Sequence, residues 1–179
     1  MLRIIFVYGF ISGAIVIGTI IGSMMIWGME GQSEWLGYLI MIVALSLIFF
    51  GVKNYRDREL GGVIKFGTAF KLGLGISVVA GIVYVGAWET YLQTTDANFM
   101  ETYANSYIEQ LQADGADAQQ LKEAEALMDE YKAMYEKPLT RMGITFLEIF
   151  PVGLLITLIS AGLLRNSSFL PAEKLADTV

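Results

Sequence analysis

A chain of 179 residues with 55% hydrophobic and only 17% charged side chains is not composed like a soluble domain of that size. Having no cysteine and no histidine, it excludes disulfides, thiolate or imidazole metal sites and any nucleophile–histidine pair. A net charge of −6 argues against nucleic acid, which needs a concentrated basic surface.

The apolar residues gather into four stretches, Ile4–Gly28, Trp35–Val52, Phe66–Trp88 and Met142–Leu164. A hydrocarbon core about 30 Å thick takes about 20 residues of helix to cross, so each stretch reads as a transmembrane helix. The expected fold is all-α, a four-helix membrane bundle. The first stretch has one nearby cation, Arg3, and is too long for the apolar core of a signal peptide, so a retained helix is expected. It carries two GxxxG pairs, Gly9/Gly13 and Gly18/Gly22, on opposite faces at 100° per residue. Neighbours on both sides of this helix are therefore expected.

A short turn with only Glu30 and Glu34 leads to the second stretch, and Lys53, Arg56, Arg58 and Lys65 follow it. Together with Arg3, Arg165 and Lys174 they place seven cations on one side, which the positive-inside rule makes cytoplasmic. Both termini are then cytoplasmic. Trp27, Trp35 and Trp88 fall at the outer ends, where indole rings favour the headgroup layer. The third stretch spaces Ala69, Gly73, Ser77 and Gly81 four apart, a ladder that lets helix backbones approach closely. Lys71 lies on the opposite face, with a stem long enough to snorkel to the headgroups.

Residues 95–137 are expected to form an extracytoplasmic helical hairpin. Phe99, Tyr103, Tyr107 and Leu111 make one stripe, and Leu121, Ala124, Met128, Tyr131 and Tyr135 make a second. Thr95 or Asp96 would cap the first helix, Gly115 would end it, and Pro138 breaks the second. From Glu89 to Arg141 eleven acids face four cations. Asp114, Asp117, Glu123, Glu125, Asp129 and Glu130 lack the alternating ligands and closing glutamate of an EF-hand, so a solvated face is expected rather than a metal site.

The fourth stretch repeats the small-residue ladder at Gly153, Thr157 and Ala161. It also holds Glu148, about two turns inside the outer end, where an unpaired acid costs up to about 3 kcal/mol. Pro151 cannot donate to the Leu147 carbonyl and leaves an acceptor beside that carboxylate, an arrangement some transporters use to build ion sites. Lys71 lies too deep on the other side to pair with Glu148, and Arg141, about two turns outward on the same face, is its expected electrostatic neighbour. Val152 and Leu155 share the Glu148 face and suggest a second interface, hence a homo-oligomer.

Lys53–Gly73, KNYRDRELGGVIKFGTAFKLG, and Thr145–Leu155, TFLEIFPVGLL, resemble a family of bacterial membrane proteins known as domain of unknown function 4199, met chiefly in Bacteroidota. Gly61-Gly62, Phe66-Gly67…Ala69-Phe70 and Phe146…Glu148…Pro151 carry the resemblance. It implies a bacterial inner membrane location and supplies no activity.

Three function classes follow. A non-enzymatic scaffold, assembly or accessory protein suits the ladders, the helical insertion and the absence of reactive side chains. A small oligomeric transporter or channel subunit would use Glu148, Pro151 and Arg141. An intramembrane enzyme would need a second acid beside Glu148, and nothing places one there. The first is the reading adopted, with no cofactor and no catalytic residue, and with the bilayer and other membrane proteins or further copies as partners.

Overall fold

The structure is a computed structural model and describes residues 1–27, 34–95 and 99–172. The Gly28 end of the first stretch, Glu30, the Asp96 cap and Lys174 lie outside the described residues, as do the side chains of Trp27, Glu34 and Thr95. Among the described residues there are seven helices and no strand: α1 Leu2–Trp27, α2 Glu34–Leu45, α3 Leu47–Glu59, α4 Phe66–Thr95, α5 Phe99–Ala113, α6 Ala118–Tyr135 and α7 Pro138–Leu164. Four units are long and apolar enough to cross a membrane: α1, α2 with α3, α4, and α7. The protein is an integral membrane helical bundle.

The helices outrun the apolar stretches. Backbone hydrogen bonding does not stop where hydropathy falls, so α4 continues past Trp88 to Thr95 and α3 carries Lys53, Arg56 and Asp57. The second crossing is two helices parted at Ser46. The Ser46 hydroxyl donates to the Val43 carbonyl at 2.6 Å, the back-bonding that bends helices.

α4 is the central helix. On one side α1 lies so close that a methyl at Gly9 would stand 2.6 Å from Val79 Cβ, and one at Gly13 2.6 Å from the Ala80 carbonyl oxygen. Gly18 and Gly22 have nothing within 4 Å of such a methyl. Within one copy, α1 therefore uses only its first glycine pair. On the other side of α4 lies α7. Ala69, Ala161 and Leu164 are wholly buried, Gly73 faces Thr157, and Gly81 faces the ring of Phe146. The Ser77 and Thr157 hydroxyls bond each other at 3.0 Å inside this seam.

At one end of the bundle, α3 turns into α4 through Gly61 and Gly62, with φ of 65° and 92°. Such angles are cheap only without a Cβ, which gives the Gly61-Gly62 pair a physical reason. The Gly62 amide donates to the Arg56 carbonyl at 2.9 Å. At the other end, α5 closes in a Schellman turn: Gly115 has φ 84°, and the Ala116 amide reaches back to the Leu111 carbonyl at 3.0 Å. Asp117 then caps α6, accepting from the Gln119 and Gln120 amides while the Gln120 side chain returns to the Asp117 amide. α5 and α6 pack on each other around buried Ala104, Ala124 and Met128.

Candidate functional site

The α4–α6–α7 junction is built around one ion pair. Arg141, in the first turn of α7, places Nε and Nη2 on the two oxygens of Glu89 at 2.7 and 2.6 Å, a bidentate fork. Its Nη1 donates to the Tyr135 carbonyl at 3.1 Å, and its guanidinium lies 5.6 Å from the centre of the Tyr135 ring. Trp88 donates its indole N–H to the Tyr135 hydroxyl at 2.6 Å, and the Phe99 ring stands edge-on to Trp88. Burial holds the Tyr135 phenol above its ordinary pKa, outweighing the Trp88 hydrogen bond and the nearby guanidinium. The two helices of the insertion are thus fastened to the bundle by charge and aromatic packing.

Two expectations are corrected here. Arg141 is the partner of Glu89 rather than of Glu148, because its fork is fully engaged by the nearer carboxylate at the end of α4. Trp88 is buried at 5% exposure and packs under α5 and α6, so it is not a headgroup anchor. Trp35, 83% exposed, keeps that role open.

Glu148 lies ten residues beyond Pro138, about 15 Å along α7 at 1.5 Å per residue. It accepts a hydrogen bond from Tyr84 at 3.2 Å, and among the described residues no cation pairs with it. It borders a cleft of about 620 Å³ to which every helix except α3 contributes. Seven aromatic side chains line it: Tyr38 of α2, Tyr84 and Trp88 of α4, Phe99 and Tyr103 of α5, and Tyr131 and Tyr135 of α6. Ile20, Met24 and Met41 supply the apolar wall across from α7. Glu148 is the sole charged residue of that lining.

Toward the other end of the bundle the cleft gives way to packed side chains. Ile149 is buried, Phe146 fills the space beside Gly81, and the Ser77–Thr157 pair follows. α7 runs unbroken through Pro151, which is exposed, so the helix is not interrupted beside Glu148. Leu155 is also exposed, and Val152 is half-buried. Lys71 is exposed on α4, away from Glu148. Among the described residues the buried charged side chains are Arg56 and Glu89. Glu89 belongs to the junction, whereas Arg56 belongs to the α3–α4 end.

Arg56 is wholly buried, bonded through Nε to Asp57 at 2.6 Å and through its two terminal nitrogens to the carbonyls of Phe169 and Leu170. Lys53 also binds Asp57. Reading Arg56 only as a cytoplasmic cation misses this function, which is to fasten the segment after α7 across the α3–α4 turn. Phe169 meets the ring of Phe49 edge-on there. Sequence reasoning also passes over Tyr84 and Glu89. Depth is the signal that finds the ion pair: Glu89 and Arg141 stand at the same end of two adjacent crossings. Of the six acids weighed as ligands, Asp117 is a helix cap and Glu123 accepts from Gln119.

A family model described as "Protein of unknown function (DUF4199)" matches residues 7–166. The chain belongs to that family. The match takes in the four crossings, the α5–α6 insertion, the Gly61-Gly62 turn and Glu148 with its cleft. No curated protein and no solved structure matches the chain.

Proposed function

We propose that this member of the family is a non-enzymatic accessory protein of the bacterial inner membrane, both termini cytoplasmic, that presents the α5–α6 hairpin and the cleft beneath it to a binding partner outside. The observation that carries this reading is the pairing of a closed seam with an open cleft. A binding site needs a concave, mostly apolar lining with a few placed polar groups. The cleft has that lining, and it sits against a junction held by a bidentate ion pair, which keeps its walls in register. The orientation rests on the positive-inside rule applied along the chain, with Lys53, Arg56, Arg58 and Lys65 in and around the connection between the second and third crossings.

The second reading, an oligomeric ion or proton transporter, is favoured by one observation: Glu148 has no cationic partner among the described residues and is exposed to the cleft. Reconstitution separates the two. Vesicles holding purified protein should show no proton or potassium flux above empty vesicles, while mild-detergent purification should retain a ligand or partner. Flux that Glu148→Gln abolishes would replace the accessory reading with the transporter. Reporter fusions after Thr95 should signal outside the cytoplasm, and fusions after Arg58 inside.

A further inference from the structure

We propose that the cleft binds an amphiphilic ammonium, with the cationic head on Glu148 and the hydrocarbon tail along the aromatic and methionine walls. This rests on the accessory reading and names the ligand class of the same site. The cleft contains one carboxylate, and no cation among the described residues neutralises it. Arg141, on the same helix, commits its Nε–Nη2 fork to Glu89 and an Nη1 hydrogen to the Tyr135 carbonyl. A carboxylate facing an apolar space is stabilised by a cation that brings its own apolar body.

The walls select the kind of cation. Tyr38, Tyr84, Trp88 and Tyr131 surround the volume, and aromatic faces attract an organic ammonium held within about 6 Å. A bare metal ion would find one carboxylate and phenols where it needs about six oxygen ligands. An anionic amphiphile would meet Glu148 with like charge. At about 620 Å³ the cleft is of the size that holds a small molecule or one end of a lipid. Tyr84 donates to Oε2 of Glu148, which orients the carboxylate and leaves its other oxygen to the ligand.

Two sources carry this chemistry, the ethanolamine headgroup of a bilayer lipid and a free long-chain amine. The experiment uses protein in phosphatidylglycerol vesicles, with Trp27→Phe and Trp35→Phe so that Trp88 in the cleft wall is the fluorescent reporter. One arm adds phosphatidylethanolamine or phosphatidylglycerol with identical brominated chains. The other adds bromoundecylammonium or bromoundecyl sulfate. The ammonium partner of each bound pair should quench Trp88 at about tenfold lower concentration than its anionic counterpart, as expected for a hydrogen-bonded charge contact. Preference in the first arm identifies a lipid, and preference confined to the second identifies a free amphiphile.

Glu148→Gln should remove the tenfold difference beyond the general attraction of cations to an anionic surface, and Glu130→Gln on exposed α6 should leave it intact. Ile144→Phe, which narrows the cleft without touching the charge or adding a second indole, should cut quenching by both members of each pair. An equal preference in the parent and in Glu148→Gln, or undiminished quenching after Ile144→Phe, overturns the proposal. A potassium- or proton-sensitive dye in the same vesicles reports on the accessory reading separately, so absent ammonium preference with no flux sinks the ligand class alone.

Discussion

The two halves of the α4–α7 pairing solve opposite problems with neighbouring residues of the same helices. In the seam, glycines and small hydroxyl residues bring the backbones so close that Gly73 has no room for a methyl, which would stand 2.8 Å from Thr157 Cγ2. Toward Pro138 the same helices carry Tyr84, Trp88 and Glu148, and the space between them and α1, α2, α5 and α6 stays open. In lipid, close packing is a main source of helix association because the hydrophobic effect cannot drive it. The seam is the part that holds the bundle together. The cleft contributes less packing and has chemistry that the seam lacks.

The largest loss is expected at the boundary between the halves. Glu89→Gln leaves the Arg141 fork without its carboxylate, and removing one member of a buried pair costs about 3 kcal/mol. Hydrogen exchange in α5 and α6 should rise well before that in α4, since the junction fastens the hairpin. Equal protection in the variant and the parent would show that aromatic packing alone holds it.

Inside the seam, Gly73→Leu should destabilise the detergent-solubilised protein by about 2–3 kcal/mol through overpacking against Thr157 and Ile48. Gly18→Leu, on a face with nothing near it in one copy, should be silent in thermal unfolding. A large loss for Gly18→Leu would place another copy or another protein on that face. Thr157→Val, which removes the hydroxyl pair but keeps the shape, should cost only about 0.6 kcal/mol.

The smallest effect on stability belongs to the cleft. Glu148→Leu should leave the melting temperature close to that of the parent, because removing an acid with no cationic partner among the described residues offsets the loss of the Tyr84 hydrogen bond. A loss as large as that of Gly73→Leu would mean that Glu148 is a structural member of the bundle. Cysteines at half-buried Val152 and exposed Leu155 test whether further copies meet on α7: oxidation should yield a dimer in the membrane, and its absence counts against a homo-oligomer through this face.

The number of crossings, their order, the insertion before the last and the spacing of the small ladders could all be read along the chain. Each follows from local rules: apolar length against bilayer thickness, and side chains repeating along one helix. Gly115 was legible as a helix end for the same reason, since positive φ is a local demand, whereas Gly61-Gly62 stood out only as a motif of the resemblance. The pairing of side chains across helices was not legible, because it depends on how the helices pack. Arg141 and Glu148 share a face of one helix, yet Arg141 turns to Glu89 because α4 brings that carboxylate within reach of both its donors. Arg56 reads as a surface cation until the Phe169 and Leu170 carbonyls fold over it. The Gly9/Gly13 and Gly18/Gly22 pairs look equivalent along the chain, but only one faces α4. The cleft has no linear signature, because six helices contribute its lining and the space exists only where they converge.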